Sequence, residues 1–99
     1  MNEKFLNMTG MAKRAGKVIT GESLCKEAVR KGKSKLIITA LDASENTKKS
    51  MKNSCDFYGV AYVEAETMAD LGKYTGASAR AVVSVNDSNF AKAILNKLD

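Results

Sequence analysis

The sequence predicts an α/β domain, built as a three-layer α/β/α sandwich with a central mixed sheet of about four strands and about five helices. Segments of strand character alternate with segments whose apolar residues recur at helical spacing. One strand segment, residues 36–41, is continuously apolar, as expected of a central strand that is covered on both faces. With 99 residues and 44% hydrophobic positions, the chain can bury one core, and we expect a single domain over residues 1–99.

The first third of the chain predicts two helices with a short strand between them. Apolar spacing over residues 4–14 predicts the first helix, and Gly16 lies just past its end. A short extended segment follows over residues 17–19. The second helix begins at Gly21 and ends at Gly32. We expect it to bury an apolar stripe of four residues, namely Leu24, Cys25, Ala28 and Val29.

The remainder continues the alternation. After the central strand, Asp42 and Ser44 can cap a helix that runs through Tyr58, with four expected buried positions: Thr47, Met51, Cys55 and Tyr58. Residues 60–63 predict a strand, and Thr67 with Asp70 fits the start of a short helix that Gly76 closes. Residues 81–85 predict the last strand. Asn86 and Asp87 then cap a final helix with one apolar face: Phe90, Ala91, Ile94, Leu95 and Leu98.

The composition argues against several classes of function. The chain has no His and no paired-cysteine motif, so we expect no metal site, no cofactor and no enzymatic activity. Cys25 and Cys55 are expected to be buried, reduced thiols. No apolar run reaches the length of a membrane span, and we expect a cytoplasmic protein without membrane contact.

The charge is distributed unevenly along the chain. Residues 1–36 hold nine basic and three acidic residues, a balance of +6, whereas residues 37–99 hold seven and eight, a balance of −1. A basic first part favours a surface that meets a polyanion such as RNA or DNA. The alternative is a basic surface that only keeps the protein in solution.

Two segments are candidates for contact with a nucleic acid. The glycine-flanked turn over residues 16–23 opens a helix, whose free N–H groups and positive dipole end suit phosphate; the alternative is an ordinary helix start capped by Thr20 or Gly21. On that helix Ser23, Lys26 and Arg30 share one face, although Glu22–Lys26 and Glu27–Lys31 can equally form surface ion pairs. The loop over residues 74–80 ends in Arg80, which can hold a phosphate, or it is only a connection.

These segments together resemble the kink-turn-binding family of ribosomal proteins, and most closely its small bacterial members. The resemblance rests on an ordered set of motifs over almost the whole chain: residues 13–17, 21–22, 28–30, 32–33, 35–40, 42–44, 46–47, 71–76, 80–83 and 86–92. It implies an α/β/α sandwich that binds structured RNA through the start of its second helix and the loop before its last strand. We expect a monomer whose partner is structured RNA, above all ribosomal RNA, with ribosomal or translation-factor proteins as further partners.

The resemblance assigns roles to residues of this chain. Three lie at the helix start (Gly21, Glu22 and Ser23), two basic residues lie beside them (Lys17 and Lys26), and two lie in the closing loop (Ala79 and Arg80). With Arg14 and Arg30 from the basic segment, these residues make up the expected RNA site.

The chain departs from the family pattern at the start of the second helix. Kink-turn readers of the family place Asn-Glu there, to read the tandem G·A pairs of the kink-turn, and a Lys three residues later. This chain has Ser23, Leu24 and Glu27 at those positions. We therefore expect contact with the RNA backbone and weak base-specific reading of a kink-turn. The alternative is a protein-interaction scaffold of the same fold. An exposed Leu24 would favour that scaffold, and an inward-facing Leu24 would leave the site to RNA.

Overall fold

The computed structural model describes residues 2–98 and confirms the α/β/α sandwich. Its elements in chain order are α1 (Glu3–Arg14), β1 (Val18–Thr20), α2 (Glu22–Arg30), β2 (Leu36–Thr39), α3 (Glu45–Tyr58), β3 (Ala61–Glu64), α4 (Met68–Tyr74), β4 (Val82–Val85) and α5 (Ser88–Leu95). Within that range, no helix has both the length and the hydropathy that crossing a bilayer requires.

The four strands form one mixed sheet in the order β1-β4-β2-β3. Strand β4 is antiparallel to both of its neighbours, and β2 is parallel to β3. The apolar segment that begins at Leu36 therefore forms an interior strand, as predicted. Because Thr20 pairs with Val83 and Thr39 pairs with Val82, β1, β2 and β3 end at the edge of the sheet where β4 begins. We call this the carboxyl edge.

Each face of the sheet has its own helical layer and apolar core. Helices α1, α4 and α5 cover one face, where Phe5, Leu6 and Leu71 pack against strand residues such as Ile38 and Val83. Helices α2 and α3 cover the other face, where the buried side chains are Cys25, Val29, Ile37, Met51, Cys55 and Val82. Alternate strand residues therefore point into different cores, as the pleat of a sheet requires.

Four helices begin at a side-chain cap. Asn2, Ser44, Thr67 and Asp87 each accept a hydrogen bond from a backbone N–H in the first turn of α1, α3, α4 and α5, respectively. This confirms the predicted caps at Ser44, Thr67 and Asp87. Helix α2 differs, because the position before it is Gly21 and, within residues 2–98, no side chain caps its first turn.

Three predicted core positions are wrong. Leu24 is 59% exposed because α2 meets the sheet and α3 through Cys25, Ala28 and Val29, which leaves Leu24 on the outer side of the helix. Tyr58 is 46% exposed because it is the last residue of α3, beyond the turn that packs on the sheet. Leu41 is 56% exposed because β2 ends two residues earlier.

Four further predicted core residues are half-buried rather than enclosed. Thr47 lies in the first turn of α3, and Phe90, Leu95 and Leu98 pack against the edge of the first core from α5 and the residues after it. The strands β1, β3 and β4 begin one residue later than predicted. These are shifts at element ends, and they leave the topology unchanged.

Candidate nucleic-acid interface

The loop between α4 and β4, residues 75–81, folds back on α4. The Ala77 N–H donates to the Gly72 carbonyl oxygen at 2.7 Å, and the Arg80 N–H donates to that of Met68 at 3.0 Å. A Cβ atom at Gly72 would lie 2.6 Å from Ala79 Cα. Only glycine fits there without moving the loop, so α4 determines where Ala79 and Arg80 lie.

Arg80 joins this loop to the end of β1. Its Nε donates to Thr20 Oγ1 at 3.0 Å, and its Nη1 donates to the Ala79 carbonyl oxygen at 2.9 Å. The Gly21 N–H donates to the Val82 carbonyl oxygen at 3.0 Å, continuing the antiparallel pairing of β1 with β4. The two side-chain bonds use two of the five N–H donors of a guanidinium group.

The start of α2 and the loop before β4 therefore form one surface at the carboxyl edge. We call it the α2 entrance and define it by five of the predicted site residues: Gly21, Glu22, Ser23, Ala79 and Arg80. Gly21 has φ +101° and ψ 140°, a conformation that L side chains rarely adopt. The backbone can turn sharply there, and the first turn of α2 presents N–H groups without intrahelical acceptors.

Glu22 faces the neighbouring helix. The Thr47 hydroxyl donates to Glu22 Oε1 at 3.0 Å, and the Ser44 hydroxyl donates to Thr47 Oγ1 at 3.0 Å. This chain of hydrogen bonds joins the beginnings of α2 and α3. Of the two ion pairs considered for α2, Glu27–Lys31 forms at 2.8 Å, whereas the Glu22 carboxylate contacts α3.

Lys26 and Arg30 lie along a groove rather than at the α2 entrance. Together with Ser23 they line the α2 side of a groove of about 400 Å³, and Ser54 and Tyr58 line its α3 side. Both cations are exposed, and neither belongs to the ion pairs formed within the described range 2–98. The structure thus places Ser23 at the point where the α2 entrance meets this groove.

Lys17 lies away from the α2 entrance, contrary to expectation. It precedes β1, its carbonyl oxygen accepts from the Asn86 N–H at 2.7 Å, and Val18 pairs with Val85. The antiparallel register therefore places Lys17 at the opposite end of the sheet, about 13 Å along the strand from Gly21.

Arg14 lies on the other face of the sheet. It is in the last turn of α1, and its guanidinium group lies over Gly10. A Cβ atom added at Gly10 would be 3.5 Å from Arg14 Nη1 and 3.9 Å from Tyr74 Cδ2. Arg14 is therefore adjacent to α4 rather than to the start of α2. Sequence spacing placed Arg14 and Lys17 near Gly21, but β1 carries the chain across the sheet between them.

Three residues of this region were missing from the predicted site. Thr20 is the hydrogen-bond partner of Arg80, Gly72 gives the loop its position, and Leu24 is exposed next to Ser23. The Leu71-Gly72 pair belonged to the family motifs, so Gly72 carried a signal. Leu24 carried one too, since it departs from the family pattern at the start of α2. The contact of Thr20 with Arg80 carried none, because it depends on the pairing of β1 with β4.

The cysteines are buried and form no disulfide, as predicted. Burial raises the pKa of Cys25 to about 12 and that of Cys55 to about 11. The Cys25 thiol donates weakly to the Ile19 carbonyl oxygen at 3.6 Å. Both thiols therefore stay protonated near neutral pH and act as small apolar side chains in the core under α2.

The sequence matches known proteins over nearly its full length. The model of the ribosomal protein L7Ae/L30e/S12e/Gadd45 family matches residues 3–96. The chain is 40% identical over 96 residues to the RNA-binding protein YlxQ of Bacillus subtilis (strain 168), covering 97% of this chain and 96% of that protein. It is 30% identical over 88 residues to the large ribosomal subunit protein eL8 of Thermoplasma volcanium, covering 88% of this chain and 73% of that protein.

The fold is also found in solved structures. A protein of unknown function from Bacillus halodurans C superposes with a TM-score of 0.92 at 31% identity, with 95% of each chain covered. The Giardia lamblia 15.5kD RNA binding protein superposes with a TM-score of 0.82 at 21% identity, covering 96% of this chain and 82% of that one. The second likeness concerns the fold alone.

Proposed function

The chain belongs to the ribosomal protein L7Ae/L30e/S12e/Gadd45 family, and on that premise we propose that it is a non-catalytic RNA-binding protein that docks structured RNA at the α2 entrance. The family resemblance inferred from the sequence motifs is thereby confirmed. The observation that carries the proposal is the Arg80–Thr20 hydrogen bond, because it unites the loop and the helix start in one surface. The relatives named RNA-binding proteins support the same ligand class.

The chemistry of the α2 entrance suits a bent RNA backbone. The first-turn N–H groups of α2 and the positive end of its dipole attract a phosphate, and Gly21 has no side chain to block the approach. Arg80 is held at Thr20 and has further N–H donors for a second phosphate or a base edge. Ala79 adds a small apolar side chain, against which an unstacked base can lie.

We propose that base-specific reading at this surface is weak. Ser23 has a short hydroxyl, Leu24 has no hydrogen-bonding side-chain atoms, and Glu27 pairs with Lys31. The side chains that could distinguish tandem G·A pairs are therefore missing from the first two turns of α2. Backbone contacts, which carry no sequence information, supply most of the affinity in this proposal.

The wider setting belongs to the same proposal. We propose a monomeric single domain that acts in the cytoplasm, with ribosomal RNA as the main ligand and ribosomal or translation-factor proteins as neighbours. No cofactor enters the binding.

The proposal is tested by Arg80→Ala. Removing a charge-assisted phosphate contact is expected to weaken binding of a kink-turn RNA by about 1–3 kcal/mol, measured by fluorescence anisotropy. The matched control is Lys92→Ala, an exposed cation on α5. Equal affinities for the wild type, Arg80→Ala and Lys92→Ala would contradict the proposal.

One observation favours the scaffold as a second candidate function. Leu24 is 59% exposed at the α2 entrance, which suits contact with a protein. If the protein is such a scaffold, the wild type should co-sediment with ribosomal subunits even after nuclease treatment. Leu24→Ser should abolish this co-sedimentation and leave the RNA-binding isotherm unchanged. If nuclease treatment instead removes the co-sedimentation, and Leu24→Ser does not affect it, RNA docking remains the function.

A further inference from the structure

Most of the positive charge of the chain lies away from the α2 entrance. Residues 30–35, which begin at the last residue of α2, contain four cations and no acid. The carboxyl edge, by contrast, carries several acids near the ends of β2 and β3: Asp42, Glu45, Glu64 and Glu66. Most of the +6 balance of residues 1–36 is therefore carried by residues outside the α2 entrance.

The cations lead along the groove between α2 and α3. These two helices begin together at the Glu22–Thr47 hydrogen bond and also end together, since Arg30 and Tyr58 line one pocket of about 260 Å³. Lys35 lines that same pocket, and Arg30 and Tyr58 also line the larger groove that reaches Ser23. We call the whole channel the α2–α3 groove. Its polar lining includes the basic and hydroxyl side chains of Ser23, Lys26, Arg30, Lys35, Ser54 and Tyr58, together with Ser34 and the acidic Glu27.

The Tyr58 ring lines this groove near the C-terminal ends of α2 and α3, and the Phe57 ring packs against it. Phe57 is 80% exposed and Tyr58 is 46% exposed, and their ring centroids are 4.9 Å apart with the planes at 78°. The core of the protein uses neither ring. Exposed aromatic rings beside cations are the arrangement with which proteins hold unpaired bases, because every base has a flat face to stack.

The acids next to the groove do not cancel its charge. Glu27 is bound by Lys31 at 2.8 Å, and Asp56 lies 3.5 Å from Lys52. The hydrogen bond and charge of Lys31, together with the charges of Arg30 and Lys33, lower the pKa of Glu27, which shows the sign of the local field. Lys26, Arg30 and Lys35 take no part in the ion pairs formed within residues 2–98.

We propose that the α2–α3 groove is a second RNA contact, which holds a single-stranded segment adjoining the element docked at the α2 entrance. Lys26, Arg30 and Lys35 hold its phosphates, and a base stacks on the Phe57–Tyr58 pair. The segment is single-stranded because a duplex keeps its bases stacked on each other and out of reach of the rings. The inference rests on the proposed RNA binding, and Ser23 is shared by the two surfaces.

The test uses two RNAs that differ only in a single-stranded end. One is a kink-turn duplex with blunt ends, and the other carries a short oligouridine extension. We expect the extension to strengthen binding by about fivefold or more, as one stacked base does in single-strand binding proteins. Tyr58→Ala and the double variant Arg30→Ala with Lys35→Ala should each remove most of this gain and leave the affinity for the blunt duplex unchanged.

Controls separate this proposal from the one on which it rests. Arg80→Ala should weaken binding of both RNAs by the same factor and keep the gain, and Lys92→Ala should change neither. Tyr58→Phe should preserve the gain, because the ring remains. Normal binding of the blunt duplex without any gain would overturn the groove proposal alone, whereas no binding of either RNA would overturn the proposed function.

The occupant of the groove is tested by the same variants. If Tyr58→Ala leaves both RNA affinities unchanged and instead abolishes nuclease-resistant association with ribosomal subunits, the groove holds a protein and the proposal is wrong. Because Arg30, Lys35 and Tyr58 are exposed, we expect the groove variants to melt like the wild type. NMR shifts of the Tyr58 and Lys35 amides on addition of oligouridine alone give a direct second readout.

Discussion

Leu24 is the residue whose environment most affects the interpretation of the site. Its spacing with Cys25 and Ala28 predicts a core position, yet its side chain is 59% exposed beside the edge strand. An exposed leucine adds little to the core, so a polar residue there is tolerated. The side chain can therefore be changed to test what the α2 entrance reads.

We expect the double variant Ser23→Asn with Leu24→Glu to raise discrimination between a kink-turn and a duplex whose G·A pairs are replaced. A carboxylate accepts the guanine N–H donors that leucine cannot bind. The ratio of the two dissociation constants, measured by anisotropy, should rise by about fivefold or more, since each such contact adds about 1–3 kcal/mol. Glu27→Lys should raise it further by adding a cation on the same face.

The matched control for this variant is Leu41→Glu. Leu41 is 56% exposed and lies after β2, two strands away from β1. The Leu41→Glu variant introduces the same charge at a similar exposure, and Leu41 is not one of the residues that define the α2 entrance. Strong dependence on G·A pairs in the wild-type protein would show that the site already reads bases through other contacts.

The packing of a loop on α4 positions the Arg80 side of the α2 entrance. Gly72 allows the backbone of Ala79 to approach α4, and Thr75 Oγ1 donates to the Leu71 carbonyl oxygen at 2.7 Å to close the helix. The element therefore works as a unit, in which α4 supports the loop and the loop supports Arg80.

We expect Gly72→Ala to displace this loop. The added Cβ atom would lie 2.6 Å from Ala79 Cα, so backbone has to move, at a cost of about 1–3 kcal/mol in the free energy of unfolding measured in urea. RNA affinity should fall as well, because the Arg80–Thr20 hydrogen bond depends on the loop position. Lys73→Gln, at the exposed neighbouring position, should change stability little. Unchanged stability and affinity in Gly72→Ala would contradict the role given to this contact.

The caps separate α2 from the other helices. Side chains satisfy the first turns of α1, α3, α4 and α5, whereas the first turn of α2 has no such cap from the described part of the chain. An uncapped first turn is less stable by itself and leaves its N–H groups to a ligand. The helix on which the proposed function depends is thus the one that local capping stabilises least.

The net charge of +5 makes the binding of the whole molecule dependent on salt. Logarithmic affinity should fall linearly with logarithmic salt concentration, with a slope of about −0.7 to −0.9 for each phosphate contacted. For the RNA with the single-stranded extension, Lys35→Ala should make this slope shallower by about one contact. Affinity that does not change between low and physiological salt would contradict an electrostatic interface.

The buried thiols make the stability of the fold sensitive to alkaline pH. Burial raises the pKa of Cys25 from 9.0 to about 12, so the native state favours the protonated thiol more than the unfolded state does. The resulting stability is complete below pH 9 and is lost as the pH rises towards 12. Burial also raises the pKa of Cys55 to about 11 and that of Tyr62 to about 12, with the same sign.

The free energy of unfolding in urea should therefore be lower at pH 10.5 than at pH 8, by about 1 kcal/mol or more. Cys25→Ala should reduce this difference, although its cavity lowers stability at both pH values. Equal pH dependence in the variant and the wild type would assign the effect to other groups.

The order and type of the elements could be predicted because their signals are local. Glycines past helix ends, caps at Ser44, Thr67 and Asp87, and the apolar segment from Leu36 each act within a few residues. The ends of strands were predicted less accurately, since the pairing partners decide where a strand begins and ends. The exposure of Tyr58 escaped prediction because helical spacing indicates a face and gives no information on how far the neighbouring layer extends.

The sequence alone thus determined the α/β/α class, the interior position of β2, the capped helix starts and the basic character of residues 1–36. Only the tertiary structure decided which cations share a surface. The antiparallel register of β1 with β4 brings Thr20 to Arg80 across 60 residues and carries Lys17 to the opposite end of the sheet. The parallel placement of α2 and α3 aligns Lys26 and Arg30 with Tyr58. Pairing and packing between distant segments set these distances, and no periodicity within one segment encodes them.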